Sequence, residues 1–152
     1  QELEYAQFYV SLQNDRFDGK IHYKVNCTEP DILKLYIPKL TLQPLIENAV
    51  VHGLEPKYGA GRLAVNLYRA NGSVFIDVVD DGVGFTPGPS LLEGGGEEAP
   101  TAPGHRQIGL ANSNRIIRHF YGIGYGLSVV SAPGNGCRVT MHIPEDHGTQ
   151  GG

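Results

Sequence analysis

The sequence predicts an α+β two-layer sandwich, three helices over a mixed, mostly antiparallel sheet. Three observations predict it. Five short stretches alternate apolar and polar residues with period two, as strands do. Two pairs of these stretches flank tight turns, and hairpins impose antiparallel pairing. Three longer stretches carry apolar residues at helical spacing, enough to cover one face of a sheet.

Residues 1–17 read as a helix with Leu3, Ala6, Tyr9 or Val10, and Phe17 as its apolar stripe; it has no evident cap, as at the end of a longer helix. Asp18-Gly19 is a turn. Lys20 to Asn26 alternates, with Ile21, Tyr23 and Val25 on one face, and reads as a strand. Thr28 to Asp31 is a break, and Ile32 to Ile37 is apolar and ambiguous between a short strand and a turn. Thr41 to Gly53 is a helix. Leu42, Leu45, Ile46, Ala49 and Val50 form its stripe, Thr41 suits an N-cap, Pro44 lies in the first turn, and Gly53 marks a stop. A loop follows to Gly61. Arg62 to Arg69 and Ser73 to Val79 are strands joined by Asn71-Gly72, a strong hairpin signal.

Residues 86–107 are rich in proline and glycine and show no periodicity, so they read as a lid or excursion. Ile108 to Tyr121 is the third helix. Leu110, Ala111, Asn114, Ile117 and Phe120 or Tyr121 lie inside; Asn112, Arg115 and Arg118 lie outside. Leu127 to Ser131 and Cys137 to Ile143 form the closing hairpin, and the polar end from Glu145 reads as frayed.

Bulk properties bound the function. One domain suits 152 residues. A net charge of −4 argues against a broad nucleic-acid surface. No apolar run reaches the roughly 20 residues of a membrane-spanning helix, and QELEYAQFYV is not a signal peptide. Cys27 and Cys137 fit neither a zinc spacing nor a disulfide framework, which suits a reducing, intracellular compartment. Glycine is the excess, at 21 residues where average use predicts about 11.

Chemistry narrows to three places, since the chain has no P-loop, GxGxxG, HExxH or GxSxG pattern. Asn48 and His52 lie four apart, one helical turn of about 5.4 Å, with Glu47 beside them. An ordinary amphipathic helix with a solvated face fits the same pattern. The strand 74–79 delivers Asp80 into Asp81-Gly82-Val83-Gly84, where a carboxylate suits an amine donor and glycines admit a flat ring. A plain turn is the alternative. Gly104-His105-Arg106-Gln107 precedes the third helix, whose N–H groups would attract an anion, with Arg106 adding charge. A glycine-rich lead-in explains it equally.

In their order and spacing, the three places resemble the N, G1 and G2 boxes of the GHKL ATPases: DNA gyrase, heat-shock chaperone ATPases, MutL and sensor histidine kinases. The resemblance is strongest to LytS-like sensor histidine kinases. It runs through Glu4-Tyr5 to Arg16-Phe17, Leu42 to Ala49 with His52-Gly53, Asp80-x-Gly82-x-Gly84, Ile108 to Asn112, and Ser131 to Pro144.

The resemblance implies the Bergerat fold, ATP and Mg²⁺ as cofactors, and transfer of the γ-phosphoryl group to a histidine. It implies that Asn48 holds Mg²⁺, that His52 approaches the phosphates, and that Asp80 accepts from the adenine amine. Gly82 and Gly84 would admit the base. Ile108, Gly109 and Leu110, with Arg106, would cap the phosphates, and 86–107 would be the ATP lid of a catalytic domain spanning 18–145, followed by a flexible tail, 146–152.

Three departures stand out. Gln107 replaces the first G2 glycine, Cys137 replaces a common threonine, and Pro44 replaces the glutamate that activates water in GHKL hydrolases. The last favours a kinase over a hydrolase and leaves Glu47 a weak candidate base. The alternatives are a GHKL ATPase or anti-sigma-type kinase, or a non-catalytic nucleotide-binding module. No histidine here has the phosphoacceptor context, so the resemblance implies an upstream dimerisation domain carrying it. It also implies a homodimeric, membrane-anchored parent, with this domain cytoplasmic, and a response regulator as indirect partner.

Overall fold

Alternation of inward apolar and outward polar residues builds β1 (Ile21–Cys27), β2 (Gly61–Ala70), β3 (Ser73–Asp80), β4 (Gly126–Ser131) and β5 (Cys137–Pro144) into one sheet. The computed structural model describes residues 2–34, 37–38, 41–88, 91–93 and 102–145, with backbone alone at 34, 93 and 102–108. The strand order is β1-β2-β3-β5-β4. β1 runs parallel to β2, and the other pairs are antiparallel. A parallel pair needs a long crossover, and the crossover from β1 to β2 carries the second helix. Asn71 and Gly72 both take positive φ, 53° and 77°, as a two-residue hairpin turn requires.

Helices cover one face. In α1 (Glu2–Arg16), Ala6 and Val10 are buried, with Leu3, Tyr9 and Phe17 packed beside them. α2 (Gln43–Glu47) runs directly into a π-helical segment, Asn48–Leu54. α3 (Ala102–Tyr121) buries Leu110, Ala111 and Ile117. These meet Leu63, Val65, Val74, Ile76, Val78, Val139, Met141 and Ile143 from the sheet, in one core. Each such large side chain contributes about 1.5–3 kcal/mol of apolar burial. Two layers, three helices and a mixed sheet are as expected.

The boundaries depart from expectation where tertiary contacts override local signals. Thr41 does not cap α2: its hydroxyl donates to the Pro38 carbonyl at 2.8 Å, and Leu42 is the N-cap. Gly53 does not stop the helix, which continues to Leu54. Of the ambiguous stretch 32–37, residues 32–34 belong to a 3₁₀ turn, Pro30–Lys34, with Ile32 buried, and 35–36 lie outside the described residues. Val25 is exposed despite its place in the β1 alternation, because β1 is an edge strand.

α3 begins at Ala102, six residues before the expected start, so 102–107 are helix rather than loop. The lead-in is also anchored: Leu91 is buried in the core, and the Leu92 carbonyl accepts from the Asn114 side chain at 3.2 Å. On α3, Phe120 points outward while Tyr121 packs on the core. Arg69 binds Glu29, Asp31 and Glu145, tying the 3₁₀ turn and the end of β5 to β2. The tail 146–152 lies outside the described residues.

Candidate functional site

Asn48, His52, Gly53, Asp80, Gly84, Phe85 and Cys137 line one small cleft of about 160 Å³, including its open mouth. Ligand pockets more often hold about 300–1,000 Å³, so the cleft matches a ring or headgroup rather than a whole large ligand. Its walls come from the π-helical segment, the end of β3 with the turn beyond it, and the start of β5.

The π-helical segment positions the first wall. Its i→i+5 bonding is visible where the Glu55 amide donates to the Val50 carbonyl at 2.8 Å. Such segments are rare and concentrate at functional sites. Asn48 and His52 both reach the cleft. Asn48 is 6% exposed, and its Oδ1 is buried with no hydrogen-bond partner. An orphaned buried acceptor costs about 1–3 kcal/mol, so a cation or donor completing it would be welcome. Among the described residues no group of three or more His, Cys, Asp or Glu side chains could hold a metal alone. Glu47 is exposed, accepts from the Gln43 amide at 3.3 Å, and is absent from the cleft wall. It faces α1: burial first, then the Glu47 charge, raises the pKa of the Tyr9 hydroxyl.

The two aspartates of the β3 turn diverge. Asp80 is 4% exposed, lines the cleft, and its Oδ1 accepts the Gly82 amide at 2.8 Å. Asp81 faces outward, where it accepts the Arg62 amide at 2.8 Å and meets Lys57 at 3.2 Å. Burial raises its pKa, but the Arg62 amide and Lys57 ammonium outweigh that and hold it below the usual carboxylate value. Asp81 therefore fastens β2, while Asp80 serves the cleft.

The glycines do their first work inside the protein. A Cβ on Gly82 would lie 2.1 Å from the Gly53 carbonyl oxygen. The Gly53 carbonyl accepts the Val83 amide at 3.0 Å. Gly84 takes φ +69°, with the Ala132 carbonyl 2.0 Å from a would-be Cβ. Gly84 lines the cleft, whereas Gly82 sits against the π-helical backbone behind it.

The α3 candidates are placed differently from expectation. Gly109 and Leu110 lie within α3, past the first four residues whose N–H groups lack helical partners. Gly109 rests on Pro44, where a Cβ would sit at 3.7 Å, and Leu110 is fully buried in the core. Arg106 and Ile108 are within the same helix, and their side chains are outside the described residues. Gly53 and Phe85 are wall residues that the sequence reading assigned no role at the site. Gly53 falls in the His52-Gly53 pair of the resemblance, but no local signal shows that it or Phe85 enters the wall, because their place depends on packing between distant segments.

A cleft between a helix bearing a buried Asn and a strand end bearing a buried Asp can be compared with known families. Residues 37–147 match the family described as histidine kinase-, DNA gyrase B- and HSP90-like ATPases. The chain belongs to that family. It is 33% identical over 144 residues to the sensor histidine kinase YesM of Bacillus subtilis, an alignment covering 95% of this chain and 23% of YesM. It is 28% identical to the sensor protein LytS of Bacillus anthracis, over 99% of this chain and 25% of LytS. The chain thus spans about a quarter of the length of these relatives. The fold matches the catalytic domain of histidine kinase ThkA with a TM-score of 0.64 at 14% identity, covering 94% of each chain. The three helices and five-stranded mixed sheet therefore share the fold of that histidine kinase catalytic domain.

Proposed function

We propose that the chain is the ATP-binding catalytic domain of a two-component sensor histidine kinase. The observation that carries this is the buried, unpartnered Asn48 Oδ1 in the same cleft as the buried Asp80 carboxylate. In this reading Asp80 accepts the exocyclic amine of adenine, and Phe85 and Gly84 flank the base. Asn48 Oδ1 would be the protein oxygen that holds Mg²⁺, an ion that favours oxygen ligands. His52 stands on the phosphate side. Mg²⁺ supplies charge neutralisation for the phosphates. The residues fit, since one protein oxygen is present, buried and otherwise unused.

Among the described residues, no glutamate lines the cleft to activate water. Pro44 occupies the position one turn before Asn48, and Glu47 faces α1. Phosphoryl transfer here rests on positioning and electrostatics, with a histidine nucleophile from an upstream dimerisation domain. Residues 1–17 then lead to that domain, Arg106 and Ile108 near the start of α3 border the phosphates, and the stretch between β3 and α3 serves as the lid. The parent is a membrane-anchored homodimer that signals to a response regulator, with this domain cytoplasmic. No helix among the described residues is long and apolar enough to cross a membrane.

Titration calorimetry with ATP and Mg²⁺ tests the reading. Asp80→Asn loses a charged hydrogen bond worth about 1.5–3 kcal/mol, so affinity drops by roughly 10- to 150-fold. Equal affinities in wild type and variant would reject it.

A further inference from the structure

Ser131 stands behind the cleft wall and holds two of its pieces. It closes β4 opposite Cys137 in the β4–β5 register, and Cys137 in turn stands opposite Asp80. Its hydroxyl accepts the Phe85 amide at 3.0 Å and donates to the Gly136 carbonyl at 2.7 Å. One hydroxyl carries one proton and two lone pairs, so it makes both bonds at once. The two partners lie in different turns. Phe85 closes the turn beyond β3 and lines the cleft. Gly136 ends the turn between β4 and β5, directly before Cys137, the next wall residue.

The backbones of these turns touch. The Gly134 amide donates to the Val83 carbonyl at 2.6 Å. A Cβ on Gly84 would run into the Ala132 carbonyl, and one on Gly136 into the Asp80 carbonyl. These contacts press the turns together at Asp80, Val83 and Gly84. Phe85 lies one residue past them, and there the fastening is the Ser131 side chain.

We infer that Ser131 is a positioning residue for the base: through one hydroxyl it sets Phe85 and the Gly136–Cys137 segment at the separation that receives the ring. The inference rests on the nucleotide reading of the cleft and gives a part in it to a residue outside the wall. Ser131 acts through Phe85 and Gly136 and touches no nucleotide atom itself. Removing its hydroxyl takes that partner from the Phe85 amide and the Gly136 carbonyl together, and the two turn ends are free to part.

Calorimetry with ATP and with ADP, each with Mg²⁺, compares wild type, Ser131→Ala and Ser131→Thr, every chain first shown to be folded by circular dichroism. Ser131→Ala should lose about tenfold in affinity, by the same factor for both nucleotides, because the base is common to them. Ser131→Thr keeps the hydroxyl and should stay within a factor of about three of wild type. Amide hydrogen exchange read by NMR adds a measure on the unaltered chain: saturating ATP should slow exchange at Phe85. In Ser131→Ala that amide should exchange faster, and ATP should slow it less.

A folded Ser131→Ala with wild-type affinity would overturn the inference and leave the nucleotide reading standing. So would a loss confined to ATP, which would put the effect at the γ-phosphate, or a folded threonine variant as weak as the alanine one. If Ser131→Ala does not fold, exchange in the wild type decides: a Phe85 amide indifferent to ATP rejects the inference, and slowing, with threonine at wild-type affinity, upholds it. Wild type that binds neither nucleotide would overturn the nucleotide reading and this inference together.

Discussion

Single atoms decide what the cleft tolerates. Asp80 sits where it does because Gly53 has no side chain: a Cβ there would lie 2.6 Å from Asp80 Oδ1. Gly53→Ala must rotate Asp80 away from the Gly82 amide. We expect a loss of about 1–3 kcal/mol of stability from overpacking together with weakened ATP binding. Gly72→Ala is the control. Its φ of +77° makes alanine strained, at about 1–2 kcal/mol, but open space surrounds it. Denaturant melts should show both losses, while calorimetry should show an affinity loss for Gly53→Ala alone.

His142 offers a second residue-level test. Its Nε2 lies 2.8 Å from the Ser73 hydroxyl, and its ring stacks on Phe75 at 4.7 Å with Tyr125 at 4.8 Å. Burial lowers its pKa below 6.5. A depressed folded-state pKa means that the unfolded chain binds the proton more readily. The stabilisation is therefore present above about 6.5 and is lost as pH falls through the lower, folded value. The melting temperature of wild type should fall more steeply over that window than that of His142→Gln. Parallel curves would show that this imidazole does not carry the pH dependence.

At the scale of elements, the strands and the β2–β3 hairpin were legible because period-two alternation and Asn71-Gly72 are local signals. The first helix was equally legible, since Ala6 and Val10 fall on the expected stripe. The π-helical segment was not. Its apolar spacing mimics an α-helix, and the close approach of Gly53 to Gly82, 29 positions away in a different element, leaves no trace in that spacing. The early start of α3 was hidden by prolines and glycines that argue for a loop, although Leu91 and Asn114 fasten the segment before it. Of the site, Asn48, His52, Asp80 and Gly84 were readable as a pattern and do converge. The separate duties of Asp80 and Asp81 were not, because which aspartate enters the cleft depends on where β3 ends against β2 and β5, and that is set by pairing with distant strands.

This division predicts a contrast at the same turn. Asp81→Ala removes the partner of the Arg62 amide and of Lys57. It should lower stability by about 0.5–1.5 kcal/mol, the net worth of one hydrogen bond, and leave ATP affinity within a factor of two or so. Loss of ATP binding in Asp81→Ala with the fold intact would merge the two roles.

Under the proposed function, the described fold supplies the nucleotide-holding half of a transfer reaction. Its cleft gathers an amide oxygen, a carboxylate and an imidazole, a set that can hold a nucleotide. His52 is the single cleft histidine among the described residues. As a residue of the π-helical segment it is fixed beside Asn48, where a Mg²⁺ would share the phosphates, and such a place suits orientation rather than in-line attack. His22 and His119 lie on β1 and α3, outside the cleft wall, and His142 is stacked between aromatic rings. With γ-labelled ATP and Mg²⁺, the chain alone should therefore bind nucleotide and incorporate no acid-labile phosphate. A longer chain that adds the upstream phosphoacceptor domain should incorporate it in proportion to the intact Asp80. Acid-labile label on any histidine of the isolated chain would place the nucleophile within this domain and reverse the assignment.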